Sequence, residues 1–193
     1  RHEAFVRAGG LMALTPFSYE LEVESPIEHR KIERTAKQTA ELESRTVTLA
    51  IESSKMRRGD VLLINSNSGR TVNVVELALQ CKARGILTIA ISSSEQMRRC
   101  PALHPSGKKL FDVADICVDN CGPYGDALVK VRDNEPMCPS SGIAAAYILW
   151  AIQAEVVERL QAVGINPSIY RSVHVSGPEF LEKQRKKFLK KGI

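Results

Sequence analysis

Residues 60–91, DVLLINSNSGRTVNVVELALQCKARGILTIAI, contain the pattern that decides the fold: an apolar strand, a polar loop, a helix and a second apolar strand. Short apolar runs bounded by turn residues are typical of strands buried on both faces, as in parallel sheets. Here the two runs are residues 61–64 and 86–91. Between them, apolar residues recur at helical spacing up to Arg84, and Gly85 ends the helix. The stretch therefore predicts a strand–helix–strand unit of an α/β sheet.

The loop between the first strand and the helix has the composition of an anion site. It lies at the carboxyl end of a central strand, where open α/β sheets bind their ligands. Ser66, Ser68 and Thr71 supply hydroxyl donors, and Gly69 lets the backbone approach a ligand closely. The following helix directs its unpaired N–H groups and its positive dipole end at the same place. The loop predicts a phosphate cradle, but it also suits a plain turn with Thr71 as the helix N-cap, so both interpretations stay open here.

Three serines follow the second strand and face the same edge of the sheet. Ser92, which lies nearest the strand end, is the first candidate for a second polar wall of the site, and Ser93 is the next. A solvated loop explains these serines equally well.

Composition limits the class of protein. The 193 residues, 44% of them hydrophobic and 25% charged, suit one sizeable core, so we expect a single domain over residues 1–193. The net charge of +5 resides in residues 182–193, which hold six Lys or Arg against one Glu. This basic C-terminal helix, expected over 178–193, is more typical of a solvated helix end than of a nucleic-acid arm. We therefore expect no nucleic-acid partner.

The remaining composition indicates a cytoplasmic protein. No apolar run approaches the roughly 18 residues that span a bilayer, so no membrane association is expected. The five cysteines form no CxxC pair, which favours free thiols in a reducing compartment and argues against a metal site. No cofactor motif of the GxGxxG or Walker type is present either.

Outside the central unit, the pattern predicts further elements. They are the end of a helix over 1–10, a short strand over 11–17, one or two amphipathic helices over 28–53, a loop over 96–109, a strand over 111–119, an irregular segment over 120–139, and a helix over 142–163 capped by Ser140. A helix before the first strand implies an earlier strand that the chain does not contain. The last helix is apolar on most sides, which predicts cover on more than one face and hence a homodimer.

The ordered motifs resemble those of the SIS (sugar isomerase) domain family. They are FVRAGG at 5–10, GDVLLINSNSG at 59–69, SGKKL at 106–110, residues 115–120, and the serine-capped helix followed by residues 167–170. Together they cover nearly the whole chain and look most like uncharacterised bacterial SIS-domain proteins related to phosphoheptose isomerase. Two departures stand out: the family's first strand and its loop would lie before Arg1, and VSGPE at 175–179 replaces an expected glycine-rich stretch.

The resemblance implies a three-layer, doubly wound, flavodoxin-like (Rossmann-like) α/β fold with a five-stranded parallel sheet, whose first strand is absent from the sequence. It also implies a dimer with a phosphosugar pocket shared between subunits. In such a site, the loop residues that hold the sugar phosphate are Ser66, Asn67, Ser68, Gly69, Arg70 and Thr71.

The activity implied is isomerisation of an aldose phosphate through an enediolate, which needs a base close to the sugar and a group that stabilises the enediolate oxygen. Candidate bases are Glu3, His104 and Glu135, and Lys108 is the candidate for the developing charge. The alternative is a phosphosugar sensor that uses the same cradle without catalysis.

Overall fold

The computed structural model describes residues 6–7, 35–54 and 56–191, without the side chains of residues 6, 7, 170 and 191. In chain order, the elements are β1 (Val6–Arg7), α1 (Ala36–Ser54), β2 (Val61–Asn65), α2 (Val72–Ala83), β3 (Leu87–Ser92), α3 (Ser94–Arg99), α4 (Leu110–Val113), β4 (Ile116–Asp119), β5 (Ala127–Lys130), a 3₁₀ turn (Arg132–Asn134), β6 (Pro136–Pro139), α5 (Ser141–Ala162), β7 (Ile169–Tyr170) and α6 (Val173–Lys191). The chain divides into two compact units, residues 23–148 and residues 1–22 with 149–193.

The first unit is built on a parallel sheet with strand order β2-β3-β4. Val61 pairs with Leu87 at one end of β2 and Asn65 pairs with Ile91 at the other, while Ser92 of β3 pairs with Asp119 of β4. The predicted α/β class and the strand–helix–strand unit over 60–91 are confirmed. The described residues form three strands of this sheet, so the five-stranded sheet stays a prediction.

Two clusters of buried side chains form the core of this unit. One joins β2, α2, β3 and α4 around the fully buried Val75 and Leu110. The other packs Val47 and Ile51 of α1 against Cys81 of α2. Each fully buried aliphatic side chain contributes about 1.5–3 kcal/mol to folding. Consequently, α1 and α2 lie side by side, and the start of α2 is held rigidly at the carboxyl edge of the sheet.

Three of the predicted elements after β3 are correct only in part. The predicted strand over 111–119 is the short helix α4 followed by β4, because Asp112 accepts a hydrogen bond from the N–H of Lys109 and starts a helical turn. The predicted loop over 96–109 begins inside α3, whose N-cap is Ser93. The predicted irregular segment over 120–139 contains the antiparallel hairpin β5–β6. Over 111–119, apolar residues alternate irregularly with three aspartates, and so short a segment does not distinguish helix from strand.

Predictions for the N-terminal region have mixed outcomes. Val6 and Arg7 form strand β1 rather than the end of a helix, since they pair in parallel with Ile169 and Tyr170 of β7. The predicted strand over 11–17 and residues 28–34 of the predicted helix lie outside the described residues. The described part of that helix is α1.

Helix α6 in the second unit consists of two helical segments. Gly177 has a φ of 73°, which interrupts the helical conformation, and Pro178 follows it at a first-turn position that proline tolerates. Near the C-terminal end, the Lys187 ammonium donates to the carbonyl of Asn166 at 2.7 Å. Of the helices in the described residues, none is long and apolar enough to cross a bilayer.

Candidate functional site

The 66–71 loop lies at the carboxyl edge of the sheet and is tied to the next strand. The N–H of Ser66 donates to the carbonyl of Ile91 at 3.0 Å, and the N–H of Ser93 donates to the carbonyl of Asn67 at 3.0 Å. On the other side of β3, the N–H of Asn120 donates to the carbonyl of Ser92 at 2.9 Å. The ends of β2, β3 and β4 therefore meet at one place, as the sequence predicts.

Some of the loop's hydrogen-bonding groups have no partner within the described residues. The hydroxyls of Ser66, Ser68 and Thr71 are half-buried and make no hydrogen bond there. Thr71 occupies the N-cap position of α2 but does not cap it with its side chain. In the first turn, the N–H of Val74 donates to Oδ1 of Asn73, whereas the N–H groups of Val72 and Asn73 have no acceptor in the described part of the chain. Thr71 therefore does not supply the side-chain cap that the plain-turn interpretation expects, and the phosphate cradle itself stays a prediction.

This open end sets α2 apart from the other helices of the unit. Thr35 caps α1 by accepting from the N–H of Gln38 at 3.2 Å, and Ser93 caps α3 by accepting from the N–H of Gln96 at 3.0 Å. At the start of α4, Asp112 accepts from the N–H of Lys109 at 2.7 Å. In each of these helices, a side chain at the helix start accepts a hydrogen bond from one of the N-terminal N–H groups. The N-cap side chains of α2 and α4 both make no cap hydrogen bond, but at α4 the N–H of the N-cap residue is bonded by Asp112.

Asp126 fills the N-terminus of α5, where Ser140 was the predicted cap. Its carboxylate accepts from the N–H of Ser141 at 2.8 Å and from the N–H of Ser140 at 3.1 Å, and from both serine hydroxyls. Burial raises the pKa of Asp126, but the hydrogen bonds from Ser141 and Ser140 outweigh it and leave the pKa below its usual range. A carboxylate of the chain thus already occupies this helix end, and the prediction of Ser140 as cap is corrected.

The two serines that end β3 take different positions. Ser92 is completely buried, and its Oγ makes no hydrogen bond to the described residues. That oxygen lies 3.4 Å from where a Cβ on Gly69 would stand, so Ser92 packs directly beneath the loop. Ser93 is equally buried, but its hydroxyl donates to the carbonyl of Gly122 at 2.6 Å and accepts from Gln96. Through its bond to Gly122, Ser93 fixes the chain that follows β4. Contact of Ser92 or Ser93 with a ligand stays a prediction.

Asn67 links the loop to the end of β4. Its Oδ1 accepts from Nδ2 of Asn120 at 3.0 Å, and Oδ1 of Asn120 accepts from the N–H of Gly122 at 2.9 Å. These assignments of amide oxygen and nitrogen follow from the hydrogen-bond network. Nδ2 of Asn67 has no acceptor among the described residues, so it is available as a further donor beside the loop hydroxyls.

Gly69 is the tightest point of the loop. Its φ is 56°, and a Cβ at this position would lie 2.7 Å from Sδ of Met97 and 3.0 Å from Cβ of Leu110. Both the conformation and the space therefore require glycine. Arg70 follows at half-buried depth and carries the loop's positive charge.

Of the candidate catalytic residues, His104 has the most defined surroundings. Its Nε2 lies 3.2 Å from Oε2 of Glu76, and its Nδ1 lies 2.7 Å from Oγ of Ser106. Burial raises the pKa of Glu76, but hydrogen bonds from Gln80, Ser44 and His104 lower it overall. His104 and Glu76 line an open groove of about 900 Å³ between α1, the start of α2 and residues 103–105.

The other candidates are not brought to the loop by any contact between described residues. Lys108 is exposed after the turn at Gly107. Glu135 is exposed at the tip of the β5–β6 hairpin, where its N–H donates to the carbonyl of Arg132 at 3.0 Å. Glu3 lies outside the described residues. The catalytic assignments stay predictions.

Sequence reasoning missed three residues that shape the site: Glu76, Asn120 and Asp126. Each meets its partner across a long stretch of chain, 28 residues for Glu76 with His104 and 53 for Asn120 with Asn67. Asp126 alone carried a local signal, since it follows Gly125 in a turn-rich segment ahead of a serine-initiated helix. In the described part of the chain, no group of three or more His, Cys, Asp or Glu could hold a metal ion.

Comparison with known proteins bears on this site. The family model described as "SIS domain" matches residues 1–93, which include the 66–71 loop and β3. The UPF0309 protein of Shouchella clausii (strain KSM-K16) is 33% identical over 179 residues, covering 91% of this chain and 70% of the relative. The chain belongs to the UPF0309 family of SIS-domain proteins. A second UPF0309 protein, from Caldanaerobacter subterraneus subsp. tengcongensis, is 32% identical over 196 residues, covering 96% of this chain and 76% of the relative.

For this UPF0309 chain, the resemblance drawn from the ordered motifs is therefore confirmed. The 66–71 loop, with its free hydroxyls, lies wholly inside residues 1–93, the segment that the SIS-domain model matches.

Proposed function

We propose that this UPF0309 protein binds a phosphorylated sugar, with the phosphate held by the 66–71 loop at the N-terminus of α2. The observation that carries the proposal is the open start of α2, where the hydroxyls of Ser66, Ser68 and Thr71 have no partner among the described residues. At the starts of α3 and α5, by contrast, a side chain of the protein already accepts from an N–H group. A dianionic phosphate oxygen accepts from hydroxyls and backbone N–H groups and is attracted by the helix dipole. SIS-family membership supports a sugar as the rest of the ligand.

The reaction we propose is aldose–ketose isomerisation. A base removes the proton next to the sugar carbonyl, the enediolate oxygen is stabilised by a donor, and the proton returns one carbon along. His104, Glu135 and Glu3 remain the candidate bases, and Lys108 the candidate for stabilising the enediolate. Glu135 is exposed at the tip of the β5–β6 hairpin and has no contact with the 66–71 loop among the described residues, so a catalytic role for it requires a pocket shared between subunits.

The shared pocket requires a homodimer, and α5 supports one. This helix is apolar on most sides, yet among its residues only Ala145 is buried. Ile143 and Tyr147, one turn apart, are 74% and 72% exposed. A second copy would cover this face, and the five-stranded sheet and cytoplasmic location belong to the same proposal. The five free cysteines suit a reducing compartment.

Ligand-induced stabilisation tests the binding proposal. In a thermal-shift screen with phosphorylated sugars, a ligand at 100 times its Kd stabilises the fold by about 2.7 kcal/mol. The Ser66→Ala/Ser68→Ala double variant should lose that shift, while Ser53→Ala, an exposed serine of α1, should keep it. A shift that survives in the double variant would show that the ligand binds elsewhere.

A non-catalytic sensor is the second candidate, because no candidate base contacts the loop within the described residues. Only an enzyme exchanges the carbon-bound proton next to the carbonyl with solvent. Sugar phosphates that give a thermal shift are therefore incubated with the protein in D₂O and examined by NMR. Deuterium at that carbon supports the isomerase, and its absence across every binding ligand supports the sensor.

A further inference from the structure

Residues 103–110, here called the brace, hold two carbonyls of the 66–71 loop. The N–H of Leu110 donates to the carbonyl of Gly69 at 2.7 Å, and the N–H of Leu103 donates to the carbonyl of Arg70 at 3.1 Å. In a planar trans peptide, the carbonyl of one residue and the N–H of the next point in opposite directions. Fixing these two carbonyls therefore aims the N–H groups of Arg70 and Thr71 away from the brace.

The N–H groups so aimed are unused in the described part of the chain, where neither Arg70 nor Thr71 finds an acceptor for its backbone N–H. A phosphate bound to the loop would accept hydrogen bonds from these two N–H groups. The position of the brace thus determines how well these N–H groups are oriented before a ligand binds. A site that is already oriented binds more tightly, because less ordering is needed on binding.

His104 connects the brace to α2. Its side chain is only 10% exposed and its Nε2 lies 3.2 Å from Oε2 of Glu76, which is 19% exposed. The other carboxylate oxygen of Glu76 accepts from Oγ of Ser44 on α1 and from Nε2 of Gln80, each at 2.8 Å. Hydrogen bonds from α1 and α2 therefore fix the position of Glu76. The bond from His104 to Glu76 in turn holds the brace in place.

The second anchor of the brace is Lys109. Its ammonium donates to the carbonyl of Met97 and, at 2.9 Å, to the carbonyl of Cys100 at the end of α3. Met97 is also the residue that packs against Gly69. The brace is thus attached on one side to α2 and on the other to α3, with the loop between the two attachments.

The tautomer of His104 follows from its neighbours. The backbone N–H of Ser106 donates to Nδ1 at 3.1 Å, so Nδ1 carries the lone pair and the proton lies on Nε2, which donates to Glu76. Both ring nitrogens of His104 are therefore engaged by groups of the protein.

We propose that His104 is a positioning residue, which holds the brace to Glu76 and thereby orients the phosphate-binding amides of the 66–71 loop. The inference rests on the proposed function for its ligand, but the contact between brace and loop is a property of the protein alone.

Two substitutions distinguish the contribution of Nε2 of His104 from that of Nδ1. His104→Gln places an amide where Nε2 stands and keeps a donor toward Glu76, while His104→Asn keeps an acceptor where Nδ1 stands and loses the bond to Glu76. Glu76→Gln weakens the same bond without touching the brace. Glu95→Gln is the matched control, since Glu95 forms an ion pair with Arg99 in α3 and does not contact the brace.

The measurements are amide hydrogen exchange at Leu103 and Leu110 in the ligand-free protein, and the Kd of a sugar phosphate that stabilises the wild type. We expect His104→Asn to speed exchange at both amides and to raise Kd, each by about tenfold, as fits the loss of one hydrogen bond to a charged group. His104→Gln and Glu95→Gln should stay within about twofold of wild type, and Glu76→Gln should follow His104→Asn in direction. Exchange at Ile89 in β3 reports any global loss of stability and should not change.

Unchanged exchange at Leu103 and Leu110 in His104→Asn would overturn the brace, whatever the ligand. Faster exchange with an unchanged Kd would overturn the positioning role. A wild type that binds no sugar phosphate while its exchange pattern follows the expectation would overturn the proposed function and leave the brace contact supported.

Discussion

Gly69 combines a left-handed backbone with the closest packing in the 66–71 loop. Its φ of 56° disfavours any side chain, and an added Cβ would meet Leu110 at 3.0 Å. Gly69→Ala should therefore lower the free energy of unfolding by about 2–4 kcal/mol. Gly125→Ala is the control, since Gly125 has a φ of 86° but nothing within 4 Å of its added Cβ, and about 1–2 kcal/mol is expected there. Equal losses in urea unfolding would show that the packing against Leu110 adds nothing.

Asp126 shows how a single carboxylate replaces the predicted serine cap. Asp126→Asn should lower the free energy of unfolding by about 1–2 kcal/mol at pH 7, because the amide cannot accept all the hydrogen bonds of Ser140 and Ser141. Its folded pKa lies below the unfolded value of about 3.9, so this stability is present above that value and is lost as the pH falls through the folded pKa. Unfolding measured from pH 7 to pH 3 should show wild type and variant converging below about pH 4. A constant difference across that range would contradict the ionised cap.

At the scale of the helix, α2 and α3 begin beside the same sheet edge, but only α3 has a side-chain N-cap. Ser93 caps α3 and holds Gly122, whereas Thr71 caps nothing. Ser93→Ala should therefore lower the free energy of unfolding by about 1–3 kcal/mol, and Thr71→Ala by less than about 0.5 kcal/mol. We expect Thr71→Ala to weaken binding of a phosphorylated sugar about tenfold, as a lost hydrogen bond to a charged ligand does. A Thr71→Ala variant that loses stability but keeps its affinity would mean that the threonine is structural.

For the whole molecule, the exposed face of α5 decides between monomer and dimer. Light scattering at micromolar concentration should give twice the chain mass of 21.3 kDa. The Ile143→Lys/Tyr147→Lys variant should give the single mass, because two ammonium groups cannot be buried in an apolar interface without partners. Gln161→Lys, at an exposed position of the same helix, should remain dimeric. A wild type that scatters as a monomer would contradict the dimer proposal.

The local pattern of apolar and turn residues was sufficient to predict the elements of the central unit, but not those of the segments around it. Residues 61–64 and 86–91 are apolar runs with clear turn residues, so their strands could be placed from sequence alone. Residues 111–119 mix apolar residues with three aspartates, and Asp112, by accepting from the N–H of Lys109, starts a helical turn in the first part. The hairpin over 127–139 was missed because Asp126, Asp133, Asn134 and Cys138 adopt positive φ, which residues other than glycine seldom do.

By itself, the sequence determined the α/β unit, the position of the 66–71 loop at the strand end and the residues from which a cradle can be made, because these depend on neighbours a few positions apart. Only the tertiary structure decided which polar groups are free. Ser93 and Ser66 look alike in the sequence, but Ser93 bonds Gly122, 29 residues away, while the hydroxyl of Ser66 makes no hydrogen bond in the described part of the chain. The physical reason is that a buried hydroxyl takes whatever partner the fold brings within about 3 Å, and that partner is set by long-range packing.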